Sequence, residues 1–430
     1  METAVATYEP SIDELIAQSL LPRVPWPSRR TKGTITVTDY NGLQAAIDAA
    51  HGGDIIRLVG KKFAGFKIKK AWGFKLTESW IPPDRSVQVV CIVNGNPDGT
   101  QPIIEGFAVW QMNNGTELWC VDLGIKPAEW QEENNDGALE WVSGPYCFGG
   151  PITGMPGSLR FKNCTLYDAE KSKSYGGSGL KAGCRTTRMG LHFEGCRSAD
   201  GAIAQEQWIY PDNCAFFIQD GCDWGPCGRS HYQTGTRNFY QMPDRFLGIL
   251  VQNSKFRDGF CGSANAGSNT VYGYPGLVVM RNNLIQSNGW DGLVWDPELK
   301  KMVQKHIDPT AGVVVWRAYN EGGAKLDADG FATSILVIDN VKVSIGPGGL
   351  DACTFEWINR AHIRGLDTTG SANGAHHVNN PGQYNTHGIA NLRLYGPPFP
   401  PIRTHIGDST SKQWHTWTQE ELLAATKVSA

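Results

Sequence analysis

The chain has 430 residues, enough for one large solenoid or two ordinary domains, and a formal net charge of −3. That balance argues against a broad nucleic-acid surface or attachment to an anionic membrane, and no apolar run approaches the ~20 residues that span a bilayer. Glycine supplies 51 residues without a collagen period, as a chain that turns every few residues requires.

The N-terminal METAVATYEPSIDE lacks the basic and apolar segments of a signal peptide, which points to synthesis in the cytoplasm. In that setting most of the eleven cysteines are expected reduced and buried, and an odd count rules out complete pairing. Ser11 and Glu14 form a capping-box pattern, so a short helix is expected from there to about Leu21, before Pro22. Pro22, Pro25 and Pro27 make the next segment extended. Residues 1–32 therefore read as an arm outside the main body. The arm either folds back on that body or attaches it to a larger assembly.

Leu43, Ala46, Ile47 and Ala50 recur at helical spacing, and Gly52-Gly53 ends the pattern. The β-branched run Ile55–Val59 follows at once as a strand. A short helix with no room for a wide sheet suggests a lid on a stack of strands. Leu43, Gln44, Ala46, Ile47, Ala49, Ala50, Gly53, Asp54, Ile56 and Leu58 resemble the cap and first rung of the pectate-lyase-like superfamily. The resemblance implies an all-β fold: a single-stranded right-handed parallel β-helix solenoid with an N-terminal cap helix and short terminal helical arms. That superfamily holds lyases, hydrolases, epimerases and virion proteins, so it fixes no activity.

From Lys61 the pattern alternates, with Phe66 and Ile68 inward and Lys67 and Lys69 outward. Together with Lys61, Lys62, Lys70 and Lys75 these form a solvated face or a patch for an acidic partner. Six of the fifteen tryptophans, Trp72, Trp80, Trp110, Trp119, Trp130 and Trp141, lie in irregular early rungs, as core filling or as sugar-stacking platforms.

After 158 one template repeats: alternating apolar residues, then Asn or Gly, then a small residue. Its anchors are Asn163, Gly195, Gly221, Asn253, Asn282, Asn340, Asn359 and Asn391, stepping by 32, 26, 32, 29, 58, 19 and 32. A wandering period of about 30 with one doubled interval, the step of 58, and with insertions in loops marks successive coils of a solenoid. Cys164, Cys196 and Cys222 share one template position and should stack inside. Asp168, Asp200-Gly201, Asp258-Gly259 and Asn288-Gly289 recur like turn signals rather than catalytic acids.

Chemistry must then come from what does not repeat. Asp223–Arg245 reads as an inter-coil loop carrying Asp223, Arg229, His231, Tyr232, Arg237, Tyr240 and Arg245, with Lys181, Arg185 and Arg188 in a neighbouring loop. Such arginines hold carboxylate or sulfate groups bidentately. A lyase would use Tyr232 or His231 as base, and an inverting hydrolase would use Asp220 with Asp223. Polygalacturonase and calcium pectate-lyase signatures are missing, and Thr386-His387-Gly388 matches a single fragment. Cys214, Cys222 and Cys227 lack zinc-site spacing, His376, His377, His387 and His405 form no ligand motif, and no metal or cofactor is expected.

Gly396–Pro401 leaves the solenoid as an extended linker, and Thr418–Glu421 opens a second capping-box helix. The expected organisation is an arm at 1–32, cap and first rung at 33–60, β-helix at 61–395, and linker with tail helix at 396–430. The first functional expectation is a virion or assembly component, a capsid decoration or tailspike-like protein. Its terminal arms would bind other subunits, further copies of the chain in a homo-oligomer among them, and its surface an acidic polysaccharide, with no nucleic acid or membrane partner. The alternative is an extracellular lyase or hydrolase acting on acidic glycans.

Overall fold

The computed structural model describes residues 10–18, 33–66, 89–107, 117–133, 139–144, 158–168, 190–202, 204, 207–209, 216–227, 230–234, 248–257, 269–272, 277–287, 291–296, 301–306, 314–317, 332–345, 353–356, 358–368, 375–377, 389–396, 399, 402–406 and 413–424. Among them the fold is an all-β parallel solenoid with few helices. Its wall consists of three parallel ladders.

The first ladder runs from Thr34–Val37 through Ile55–Leu58, Val89–Asn94, Glu117–Val121, Ser158–Lys162, Gly190–Glu194, Phe216–Asp220, Gly248–Gln252 and Leu277–Arg281. It continues through Ala332–Ile345, Ile358–Asp367 and Ile389–Tyr395. The second follows one bend later and includes Thr165–Leu166, Arg197–Ser198, Asp223–Trp224, Lys255–Phe256 and Leu284–Ser287. The third includes Gln207–Ile209, Ser230–Thr234, Asn269–Tyr272, Val314–Arg317, Cys353–Glu356, Ala375–His377 and Ile402–Ile406.

The bend between the first two ladders explains the sequence template. Asp122, Asn163, Asn253, Asn282 and Asn340 have φ between 51° and 57°, and Gly195, Gly221, Gly365 and Gly396 have φ between 60° and 69°. Only Gly, Asn and Asp enter this left-handed region readily, so each coil places one of them there. The last two sequence anchors are corrected by this register. Asn359 and Asn391 lie inside strands, and Gly365 and Gly396 make the bends that follow Asn340. The 58-residue step is also one coil rather than two. The antiparallel hairpin Asp291–Asp296/Lys301–His306 is inserted there, while Asn340 still stacks on Asn282.

Inside, each coil contributes two apolar side chains from the first ladder, such as Leu159/Phe161, Leu191/Phe193, Ile249/Val251 and Val278/Met280. Aromatic rings continue from coil to coil: Phe107 lies 5.8 Å from Phe161, Phe161 stacks 5.0 Å from Phe193, and Phe193 lies 6.0 Å from Trp224. Cys164, Cys196 and Cys222 occupy one buried column, and all seven described cysteines are buried and outside any disulfide. Burial, then contact with its two neighbours in the column, pushes the Cys196 thiol well above its ordinary range. The column continues in Ser254 and Asn283, whose side chains bond the coil backbone.

Both ends of the described solenoid carry helical elements. Helix α2 (Gly42–Ala49) buries Leu43, Ala46 and Ile47 in the main core, and Gly53 at φ 101° turns the chain into the next strand. At the other end Gln413–Thr416 pairs antiparallel with Ile402–Ile406, and α3 (Gln419–Ala424) buries Leu422. Its capping box is present: the Glu421 amide donates to Thr418 Oγ1 and the Thr418 amide to Glu421 Oε2.

The N-terminal helix α1 (Ile12–Ala17) is shorter than its sequence pattern suggests, and it lies against the body. Ile12 and Leu15 pack on Phe216, Ile218, Leu250, Val279 and Val337, side chains that point out of the first ladder. The local signal was present in the sequence. Runs such as Phe216-Phe217-Ile218 and Ile249-Leu250-Val251 are apolar on both faces, as strands buried on both sides must be.

Candidate functional site

Of the residues marked as chemical candidates, Asp220, Asp223, His231 and Tyr232 fall among the described residues. Lys181, Arg185, Arg188, Arg229, Arg237, Tyr240 and Arg245 lie outside them, as does Thr386-His387-Gly388. The basic segment 67–75 lies outside them as well.

Asp220 ends a first-ladder strand, and Asp223 begins the second-ladder strand after the Gly221 bend. The bend thus holds the two carboxylates on successive walls. Both Asp220 oxygens accept amide protons from the next coil, Oδ1 from Asn253 Nδ2 at 2.8 Å and Oδ2 from Gln252 Nε2 at 2.9 Å. Asp223 Oδ1 accepts from Arg257 Nε at 2.8 Å on a solvent-facing edge. A hydrolytic pair needs one carboxyl that stays protonated and one that activates water. Here each carboxylate is held by a side chain of the next coil.

The segment expected as a loop is partly wall. Asp223–Trp224 is a ladder strand, Cys227 bridges to Ala204, and Ser230–Thr234 is a third-ladder strand buried along its whole length. Tyr232 turns its ring onto Phe217 and Phe256, at 5.4 and 5.8 Å, and burial pushes its phenol above the ordinary range. His231 meets the Phe256 ring at 5.4 Å and its Nε2 lies 2.9 Å from the Arg257 carbonyl. Burial lowers its pKa to about 4, so the ring is neutral near pH 7. Neither side chain has solvent exposure from which to meet a polymer. The pattern misled here because Ser230, His231, Gln233 and Thr234 read as loop polarity yet are enclosed by neighbouring coils.

A second constellation was not visible from spacing. Glu117, Trp119, Arg160, His192 and Phe216 come from four stacked strands and cluster on the outer side of the first ladder, all buried. Trp119 Nε1 donates to Glu117 Oε2 at 3.0 Å, and Arg160 Nη2 lies 3.5 Å from Glu117 Oε1. Arg160 Nη1 sits 3.3 Å from His192 Nδ1, and the guanidinium lies 5.6 Å from the Phe216 ring centre. Gly190 makes this approach possible, since a Cβ there would meet the Phe216 ring at 2.0 Å. Burial lowers Arg160 to about 9, and burial together with Arg160 holds His192 well below its ordinary range. The ion pair joins neighbouring coils, and among the described residues its side chains are buried rather than presented to solvent.

The turn reading of the recurring Asp–Gly signal agrees with Gly201, at φ 73° beside a turn from Ala199 to Ala202. Asp258 and Asn288 lie outside the described residues, and no cluster of metal-ligating side chains occurs among the described ones. No protein-family model matches the chain, and no curated protein matches it.

Proposed function

We propose that this chain is a non-catalytic β-helix of the pectate-lyase-like kind, a virion or assembly component of capsid-decoration or tailspike type, and that it binds acidic glycan without cleaving it. One observation carries the reading. The described acid and base candidates, Asp220, Asp223, His231 and Tyr232, are all engaged in holding coils together. Catalysis needs such groups poised toward a reacting bond, and structural engagement removes them from that task. A parallel solenoid with a helical element near each described end suits display. Lys181, Arg185, Arg188, Arg229, Arg237, Tyr240 and Arg245 remain the residues assigned to glycan contact, and other virion subunits remain the assembly partners.

The test is a panel of immobilised acidic and neutral polysaccharides, read for binding, for absorbance of an unsaturated product and for new reducing ends. The reading expects saturable, salt-sensitive binding to acidic polymers with neither product. Unsaturated product would replace it with a β-elimination lyase. Reducing ends alone would replace it with a hydrolase and return attention to Asp220 and Asp223.

A further inference from the structure

The outward positions of the first ladder change character along the solenoid. The column that holds Trp119, Arg160 and His192 continues as Ile218, Leu250, Val279 and Val337. With Phe216 and the partly buried Leu277 and Ile335 it makes an apolar stripe across neighbouring coils, and α1 occupies it. The seat is small. Ile12, Leu15 and Ile16 supply the apolar contacts, and Asp13 Oδ1 accepts from Arg364 Nη2 at 3.0 Å. Arg364 Nε also donates to Asp339 at 2.7 Å, so the guanidinium is fixed before the helix arrives. Six residues with an intact capping box are still too few to hold a helix in water, so α1 exists because it is docked.

The reach of the chain matters next. Between Gln18 and Gly33 lie fourteen residues, three of them prolines, and the fifteen Cα steps in extended proline-rich form reach about 46 Å. From Thr34–Val37 to the strand beneath α1, Ala332–Ile345, lie nine ladder steps, roughly 43 Å at ordinary strand spacing. Docking on its own body therefore uses most of the available reach. The same contacts on a chain lying alongside cost no interaction and need no new surface, the condition for exchange of an identical element. Once vacated, such a stripe cannot stay exposed to water without association.

We propose that α1 is an exchangeable arm that docks on the apolar stripe of a second copy of this chain, so that copies assemble side by side. The inference rests on the assembly half of the reading above and names its partner. Asp13 and Arg364 set the register of the docked helix, and Ile12 and Leu15 supply the contact.

The experiment mixes full-length Asp13→Cys with full-length Arg364→Cys at high protein concentration and adds a short bis-maleimide. A covalent dimer is expected in the mixture, well above the level in either variant alone or in the wild type. Leu15→Asp placed in the Asp13→Cys chain should abolish it. No excess dimer in the mixture, with the Asp13→Cys/Arg364→Cys double variant cross-linking inside one chain, would overturn the proposal. Dimer that survives Leu15→Asp would overturn it too, since the contact would not be this seat. A chain that docks only on itself and cleaves no glycan loses the exchange and keeps the scaffold reading. A chain that exchanges arms and cleaves a glycan loses the scaffold reading alone.

Discussion

At Asn253, Asn282 and Asn340 one side chain does two things. Its residue type permits the left-handed bend, and its amide joins the coils: Asn340 Nδ2 donates to Asn282 Oδ1 at 3.0 Å, and Asn282 Nδ2 to Asn253 Oδ1 at 3.1 Å. The row ends on Asp220, because the preceding bend is Gly221 and offers no acceptor. Asn282→Ala should lose both bonds and strain the backbone, lowering stability by about 2–3 kcal/mol in urea unfolding. Asn282→Gly should cost about half of that, since the bend stays relaxed; equal losses would show that the backbone contributes nothing. Buried histidines add a pH dependence. The unfolded chain takes a proton on His231 near pH 6.5, whereas the folded chain resists until about pH 4. Stability should therefore be full above the unfolded value and fall on acidification between these limits, by on the order of 3 kcal/mol for this residue. His192 acts in the same direction. A thermal midpoint that stays level from pH 7 to pH 4 would contradict this. The bends were legible in the sequence because a backbone rule selects their residue types. Gly365 and Gly396 escaped because glycine is abundant everywhere in this chain, and the nearby Asn359 and Asn391 fitted the template better.

At the scale of elements, local chemistry was readable and burial was not. The capping boxes at Ser11 and Thr418, the cap helix and the first strands follow from neighbours in sequence. The strand Ser230–Thr234 does not, since its polar side chains become interior only when coils stack on both sides. The Arg160 cluster was equally hidden, assembled from strands up to about a hundred residues apart. Helix α1 joins the two kinds: its start is local, and its seat depends on Ile218, Leu250, Val279 and Val337. Leu15 is 2% exposed, and Leu15→Ala should weaken docking by about 2–3 kcal/mol. Amide exchange in α1 should then rise steeply while the strand Gly248–Gln252 stays protected. Loss of protection in both would mean that α1 unfolds only with the whole body.

For the whole molecule, the ladders make a wall in which each coil depends on its two neighbours. The functional reading depends on whether that wall is continuous through the segment richest in polar and ionisable side chains. If it is, His231 and Tyr232 are masonry and the surface acts by binding; if it opens there, they become available as acid and base. Amide hydrogen exchange on the intact protein measures this directly, by comparing peptides that cover Ser230–Thr234 with those that cover Gly248–Gln252. The wall account predicts comparable, slow exchange in both, near the limit set by global unfolding. Rapid exchange confined to 230–234, with 248–252 still protected, would contradict it and place a mobile loop where the structure has a strand.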